Sequence, residues 1–157
     1  MSVILVRVDD RLIHGQVVVG WGRTERVGRI ALVDDVIRES AWEQDLYRLG
    51  VPDGVDVEFV SVAEAASAFG GWQENDRRTL VLVGNIETLC QLCATVHIPQ
   101  VNLGGVHKGA GRTERLPYVF LSDDEERQLR ALDERGVRIT AQDVPTSLPV
   151  PLGDLAC

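Results

Sequence analysis

The 157-residue sequence is short of positive charge: 16 Lys and Arg stand against 24 Asp and Glu, a formal net charge of −8. Nucleic acid and anionic membrane surfaces repel such a chain, which speaks against both as partners. Aromatic residues are scarce at 5%, and no basic patch or aromatic platform stands out that could override the repulsion. A negative chain can still dock on a basic protein surface. Long apolar runs are missing too. None approaches the roughly 20 residues that span a bilayer, and the run at residues 3–6 is ended by Arg7, Asp9, Asp10 and Arg11. The N-terminus lacks the basic region, apolar region and cleavage site of a secretory signal. No direct membrane insertion is therefore expected.

Cysteine is limited to Cys90, Cys93 and Cys157. The first two have the C-x-x-C spacing of redox and zinc sites, but they lie in a helical pattern without a second cysteine pair or a histidine pair. They read as small apolar-face residues of a core helix rather than as a metal or redox site. The compartment expected is the reducing cytoplasm.

Internal repeats, low-complexity segments and long linkers are likewise absent, and the length suits one domain over residues 1–157. With 45% hydrophobic residues that domain can build an ordinary core. What the chain does contain is alternation. Val3–Val8, Ile30–Val33, Val55–Val60, Leu80–Val83 and Val137–Thr140 read as strands rich in β-branched residues, with Gln100–Leu103 and Tyr118–Leu121 as shorter ones. The first and fourth scarcely alternate in polarity, as strands buried on both faces do.

Three S-x-x-E boxes, Ser40–Glu43, Ser61–Glu64 and Ser122–Glu125, mark helix starts. The third opens a helix over Asp123–Arg135, with acids in its first turn, Arg130 and Arg135 towards its end and Gly136 as a left-handed stop. Ile86–Val96 reads as another helix. Alternating β and α elements predict a three-layer α/β/α sandwich on a mostly parallel sheet. From about Pro145 the chain reads as an irregular tail, frayed or packed on the surface.

Open α/β sheets bind ligands beyond the carboxyl ends of their strands, and here those ends are polar. Asp9-Asp10-Arg11, Asp34-Asp35, Gly84-Asn85 and Gly104-Gly105 each follow a strand. The last leads into a loop holding His107, Lys108, Gly109, Gly111 and Arg112. Glycines admit a ligand close to the backbone and the cations suit an anion, although a mobile surface loop has the same composition. Neither G-x-x-x-x-G-K-[ST] nor a G-x-G-x-x-G after the first strand is present, so no nucleotide loop is read.

His14 is the sharper candidate. A neutral imidazole is a good nucleophile near pH 7 and takes a phosphoryl group reversibly. It then needs a cation beside the phosphoryl oxygens, backbone N–H groups around them, and a carboxylate or carbonyl to fix its tautomer. Arg11 lies three residues before it, and Gly15-Gln16 opens the first helix, a natural anion site. Asp9 or Asp10 can orient Arg11 or the ring. A hydrogen-bonded structural histidine fits the same pattern. The R-H-G of histidine phosphatases is absent, because Leu12 and Ile13 separate Arg11 from His14.

The stretch V-D-D-R-L-I-H-G-Q-V at residues 8–17, followed by Trp21, closely resembles the active-site loop of the IIB components of the mannose/fructose/sorbose family of the sugar phosphotransferase system (PTS). The resemblance runs on in order through Val33–Asp35, Trp42-Glu43, Pro52–Val55, Val60–Glu64 and Leu80–Asn85. It continues through Val101–Gly105, Gly111-Arg112, Leu121–Glu125 and Gly136–Val144. It implies a cytoplasmic enzyme, a protein-N(pi)-phosphohistidine–sugar phosphotransferase. His14 would accept a phosphoryl group on Nδ1 from phospho-IIA and pass it to a sugar entering through the membrane components IIC and IID.

Under the resemblance, His14, Arg11 and Asp10 are the catalytic residues, with Arg11 as clamp and Asp10 as orienter. Asp9, Gly15, Gln16, Gly104, Gly105 and Arg112 are expected around the phosphoryl group and its loop. No metal or other cofactor is needed at this step, and the donor is expected to be a separate IIA protein. Val106 stands where the family often has methionine, and Asp34-Asp35 where it often has asparagine. Both border the surface expected to face partner or sugar. A phosphohistidine protein that signals PTS state without transport uses the same loop, and an α/β small-ligand module uses the same fold.

Overall fold

The computed structural model describes residues 2–155. Its strands are β1 (Val3–Asp9), β2 (Arg29–Val33), β3 (Asp56–Val60), β4 (Thr79–Val83), β5 (Gln100–Gly105), β6 (Thr113–Leu116), β7 (Val119–Leu121), β8 (Arg138–Ala141) and β9 (Val150–Pro151). Seven of them form one sheet in the order β3-β2-β4-β1-β5-β8-β9, and β6 and β7 form a hairpin of their own. Every pairing in the large sheet is parallel except β8 with β9.

A π-helical segment, Gln16–Trp21, runs into the single turn α1 (Gly22–Thr24). The other helices are α2 (Asp35–Arg38), α3 (Ala41–Leu49), α4 (Val62–Glu74), α5 (Ile86–Cys93) and α6 (Asp123–Glu134). None is long and apolar enough to cross a membrane among the described residues.

The two-residue period of the central strands divides the apolar residues between two cores. Ala31, Val33, Val81 and Val83 face one side, where Phe69 and Trp72 of α4, Leu89 and Leu92 of α5, and Leu129 and Leu132 of α6 close over them. Ile30, Leu32, Leu80 and Leu82 face the other, covered by Leu12, Ile13, Val17 and Val18. β4 is buried throughout, which explains its unbroken apolar run. This is the α/β/α sandwich that the alternation predicts.

Leaving β1, the chain turns to the second core, whereas after its neighbour β5 it turns to the first. Adjacent strands whose exits diverge open a crevice between them at the carboxyl edge of the sheet. His14 and the glycine-rich loop flank that crevice.

Several local expectations are corrected. Ser61 and Ser122 close full capping boxes, but Ser40 makes no side-chain cap bond. Its ψ of 94° departs from the 167° and 164° of the other two. The expected tail is also built into the fold. Val150–Pro151 pairs antiparallel on β8, and Leu152 and Leu155 enter the first core. Pro151 is tolerated there because an edge strand needs fewer N–H donors. Thr113–Leu116, given no element from the sequence, is the first strand of the hairpin. α6 ends at Glu134 without a basic side chain in its last turn: Arg130 pairs with Glu126, and Arg135 donates to the Cys93 carbonyl. Gly136 supplies the left-handed stop at φ +95°.

Candidate functional site

The site is made by a turn that folds β1 back on itself. Leu12 has a φ of +61°, a left-handed backbone that costs a branched residue on the order of 1–3 kcal/mol. The Leu12 N–H donates to the Asp9 carbonyl at 3.0 Å, and the Leu12 side chain is buried in the second core. Its Cδ2 lies 3.0 Å from where a Cβ on Gly84 would stand, so that glycine makes room for the turn. The reversal brings His14 onto the carboxylate of Asp9, five residues earlier.

Asp9 is fully buried and organises the site. Its Oδ1 accepts from the Arg11 N–H at 3.1 Å and from Arg11 Nε at 3.0 Å. Its Oδ2 accepts from Arg11 Nη2 at 3.0 Å and from Arg7 Nη2 at 3.4 Å, and meets His14 Nε2 at 3.1 Å. Burial pushes its carboxyl upward, but the hydrogen bonds from His14 and Arg11 outweigh that and hold it at about 2. Ionised Asp9 can only accept, so Nε2 of His14 carries the proton. Nδ1 is then left with its lone pair, and the Gln16 N–H points at it from 3.3 Å at the start of the π-helical segment. The nitrogen that carries the lone pair needed for nucleophilic attack is therefore Nδ1, which here accepts the Gln16 N–H.

Of the residues singled out from sequence, His14, Arg11, Asp9 and Gln16 come together. Arg11 Nη1 donates to Gln16 Oε1 at 2.9 Å, which holds the guanidinium beside the ring. Gly15 precedes the segment and faces open space. The orienting role assigned to Asp10 falls to Asp9 instead, because a β-strand sends neighbouring side chains to opposite sides. Asp10 leaves the ring and accepts from His107, at 2.6 Å from ring Nδ1 and 2.7 Å from the backbone N–H.

Gly104 and Gly105 serve a purpose other than cradling an anion. A Cβ on Gly104 would overlap the Arg7 guanidinium, and one on Gly105 would lie 2.8 Å from Asp9 Oδ1. A register shift beside them places Asp9 opposite Gly105, as a bulge re-aims the side chains of a strand pair. Arg112 turns away to Glu125, with bonds of 2.9 and 2.8 Å, and donates to the His107 carbonyl at 3.0 Å. It braces the loop from outside. Asp34 and Asn85, polar strand-end residues, are taken up as the caps of α2 and α5.

Sequence reasoning missed Arg7. It is fully buried, lies 4.8 Å over the Trp21 ring, and bonds Asn102 and the carbonyls of Gln142 and Asp143. Burial lowers its pKa to about 10, with Asp9 pulling the other way. The signal was a charge inside an otherwise apolar strand, two residues before Asp9 on the same face.

Cys93 is buried and Cys90 partly so, both as free thiols on α5. Burial raises both, Cys93 to about 11, opposite to the shift of a reactive thiol. Cys157 lies outside the described residues. Among those residues, no group of three or more His, Cys, Asp or Glu side chains is arranged to hold a metal ion.

Fold and site together define an α/β protein that presents one imidazole, its far nitrogen clamped by a buried carboxylate, at the carboxyl edge of a parallel sheet. The chain belongs to the sorbose subfamily of phosphotransferase-system IIB components: the family model described as PTS system sorbose subfamily IIB component matches residues 3–157. It is 29% identical to the sorbose-specific EIIB component of Klebsiella pneumoniae over 155 residues, 98% of this chain and 94% of that one. It is 28% identical to the fructose-specific EIIB component of Bacillus subtilis, covering 93% and 90%. The mannose-specific EIIAB component of Escherichia coli K12 is 29% identical over 99% of this chain, which spans 48% of that relative. The crystal structure of the IIBSor domain of the Klebsiella pneumoniae sorbose permease superposes with a TM-score of 0.89 at 28% identity, covering 99% of this chain and 96% of that one.

Proposed function

We propose that the protein is a cytoplasmic phosphocarrier in which His14 accepts a phosphoryl group on Nδ1 from a separate phosphorylated IIA protein. It then transfers that group to a sugar delivered by IIC and IID membrane components. The observation that carries this reading is the division of labour on the His14 ring. Asp9 occupies Nε2 at 3.1 Å, and Nδ1 faces the first turn of a helical segment. In the transfer, the lone pair on Nδ1 forms the new N–P bond as the bond to the donor imidazole breaks. Nε2 keeps its proton, and Asp9 stabilises the positive charge that develops on the ring. Arg11 faces the phosphoryl oxygens.

Support for the partners comes from the relatives' names: the Escherichia coli relative is an EIIAB component, and relatives are called sorbose-, fructose- and mannose-specific. Incubating the protein with phosphorylated IIA should add one phosphate to its mass, labile to acid and stable to alkali. His14→Ala should take up none. Equal uptake by that variant, or none by the native chain, overturns the proposal.

A further inference from the structure

The loop after β5 carries a second imidazole whose geometry the transfer from His14 leaves unused. Asp10 takes His107 through both of its oxygens, one on ring Nδ1 and one on the backbone N–H. With Nδ1 engaged, Nε2 is the one ring nitrogen left for a ligand, and it has no hydrogen-bond partner among the described residues. The ring is 41% exposed. It stands over the site: His107 Cε1 and Asp9 Oδ1 approach the point of a Gly105 Cβ to 3.0 and 2.8 Å. Arg11 sits on that same oxygen through its N–H and Nε. His107 therefore edges onto the Arg11 side of the site.

Charge gives this placement a purpose. Arg7 and Arg11 stand against Asp9 and Asp10, so these four groups sum to zero before any phosphoryl group arrives. A phosphoryl group adds about two negative charges. An unpaired Asp10 would then face a dianion, a repulsive arrangement. His107 occupies both Asp10 oxygens and, as an imidazolium, turns that edge of the site into a donor. Arg112 adds a further cation on the loop: it bonds the His107 carbonyl while Glu125 balances it.

We propose that His107, as an imidazolium whose Nδ1–H is held by Asp10, donates a hydrogen bond from Nε2–H to the phosphoryl group carried by His14. This makes it a further catalytic residue, beyond the loop of residues 8–17. The inference rests on His14 being the phosphoryl acceptor, so its test uses a donor that needs no partner protein. Phosphoramidate serves: its P–N bond breaks, ammonia leaves, and the Nδ1–P bond forms. With histidine labelled by ¹⁵N, uptake on His14 should shift the His107 Nε2 resonance and leave that of exposed His97 in place. Asp10→Asn should diminish the His107 shift. His107→Ala should slow uptake from phosphoramidate about ten-fold, as expected for losing a charge-assisted hydrogen bond in a partly exposed site.

A phosphorylated chain whose His107 resonances do not move overturns this inference and leaves His14 as acceptor intact. So does uptake by His107→Ala at the native rate. A chain that is phosphorylated neither by phosphoramidate nor by phosphorylated IIA overturns both. The resonance test is made on the unmutated protein, so a variant that merely loosens the loop cannot imitate a positive result.

Discussion

Asp9 and Asp10 are neighbours in sequence and opposites in structure. Asp9 is the last residue of β1 and fully buried, and two arginines and His14 converge on it. Asp10 lies one residue beyond, 29% exposed, and grips the loop of His107. Two identical carboxylates thus acquire unequal energetic weight from burial alone. In low dielectric a charge is costly to strand, whereas at the surface water replaces a lost partner.

The sharpest way to break this comparison is to remove the buried member. Asp9→Ala leaves Arg7 charged and buried without its carboxylate, and should lower unfolding stability by about 3–5 kcal/mol. Urea denaturation followed by circular dichroism would measure it, and a loss below about 1 kcal/mol would mean that Arg7 reaches water. Gly104→Ala attacks the same half from outside, since its methyl group would occupy the space of the Arg7 guanidinium. Overpacking of this kind should cost about 1–3 kcal/mol.

Acid titration tests Asp9 without mutation. Its carboxyl is held at about 2, below the ordinary 3.8, so the folded chain binds this proton less readily than the unfolded one. The stabilisation is fully present above about pH 4 and is lost as the pH falls towards 2, for about 2 kcal/mol in all. The difference between native and Asp9→Asn urea midpoints across that window isolates it, and parallel curves would count against the buried network. The smallest effect belongs to the exposed member. Asp10→Ala should change unfolding stability by less than about 1 kcal/mol, and a larger loss would erase the distinction between the two carboxylates.

Much of the fold was legible because periodicity reports burial directly. The runs at Leu80–Val83 and Ile30–Val33 lie within β4 and β2, and the boxes at Ser61 and Ser122 close as written. Ser40 has the same letters but a different ψ, set by the preceding turn of α2. The tail misled because Pro-rich composition describes local preference, while β9 is held by the open edge of β8. In the site, the spacing from Arg11 to His14 picked out two residues that the structure brings together on one carboxylate, but left two candidate orienters. The choice fell to the pleat, which turns Asp9 inward, and to the left-handed Leu12, which returns His14 to it.

The sequence by itself determined the alternation of strands and helices, the two-sided burial of β4 and the loop carrying Arg11 and His14, because each follows from local period and residue chemistry. Only the tertiary structure decided which carboxylate holds the imidazole and that Gly104 and Gly105 make room for it. It also set Arg7 beneath Asp9 and His107 across the crevice. The contacts of Gly104, Gly105 and His107 join the end of β1 to the end of β5, 95 or more residues away in sequence, and no local pattern encodes a register that exists only once β1 and β5 lie side by side.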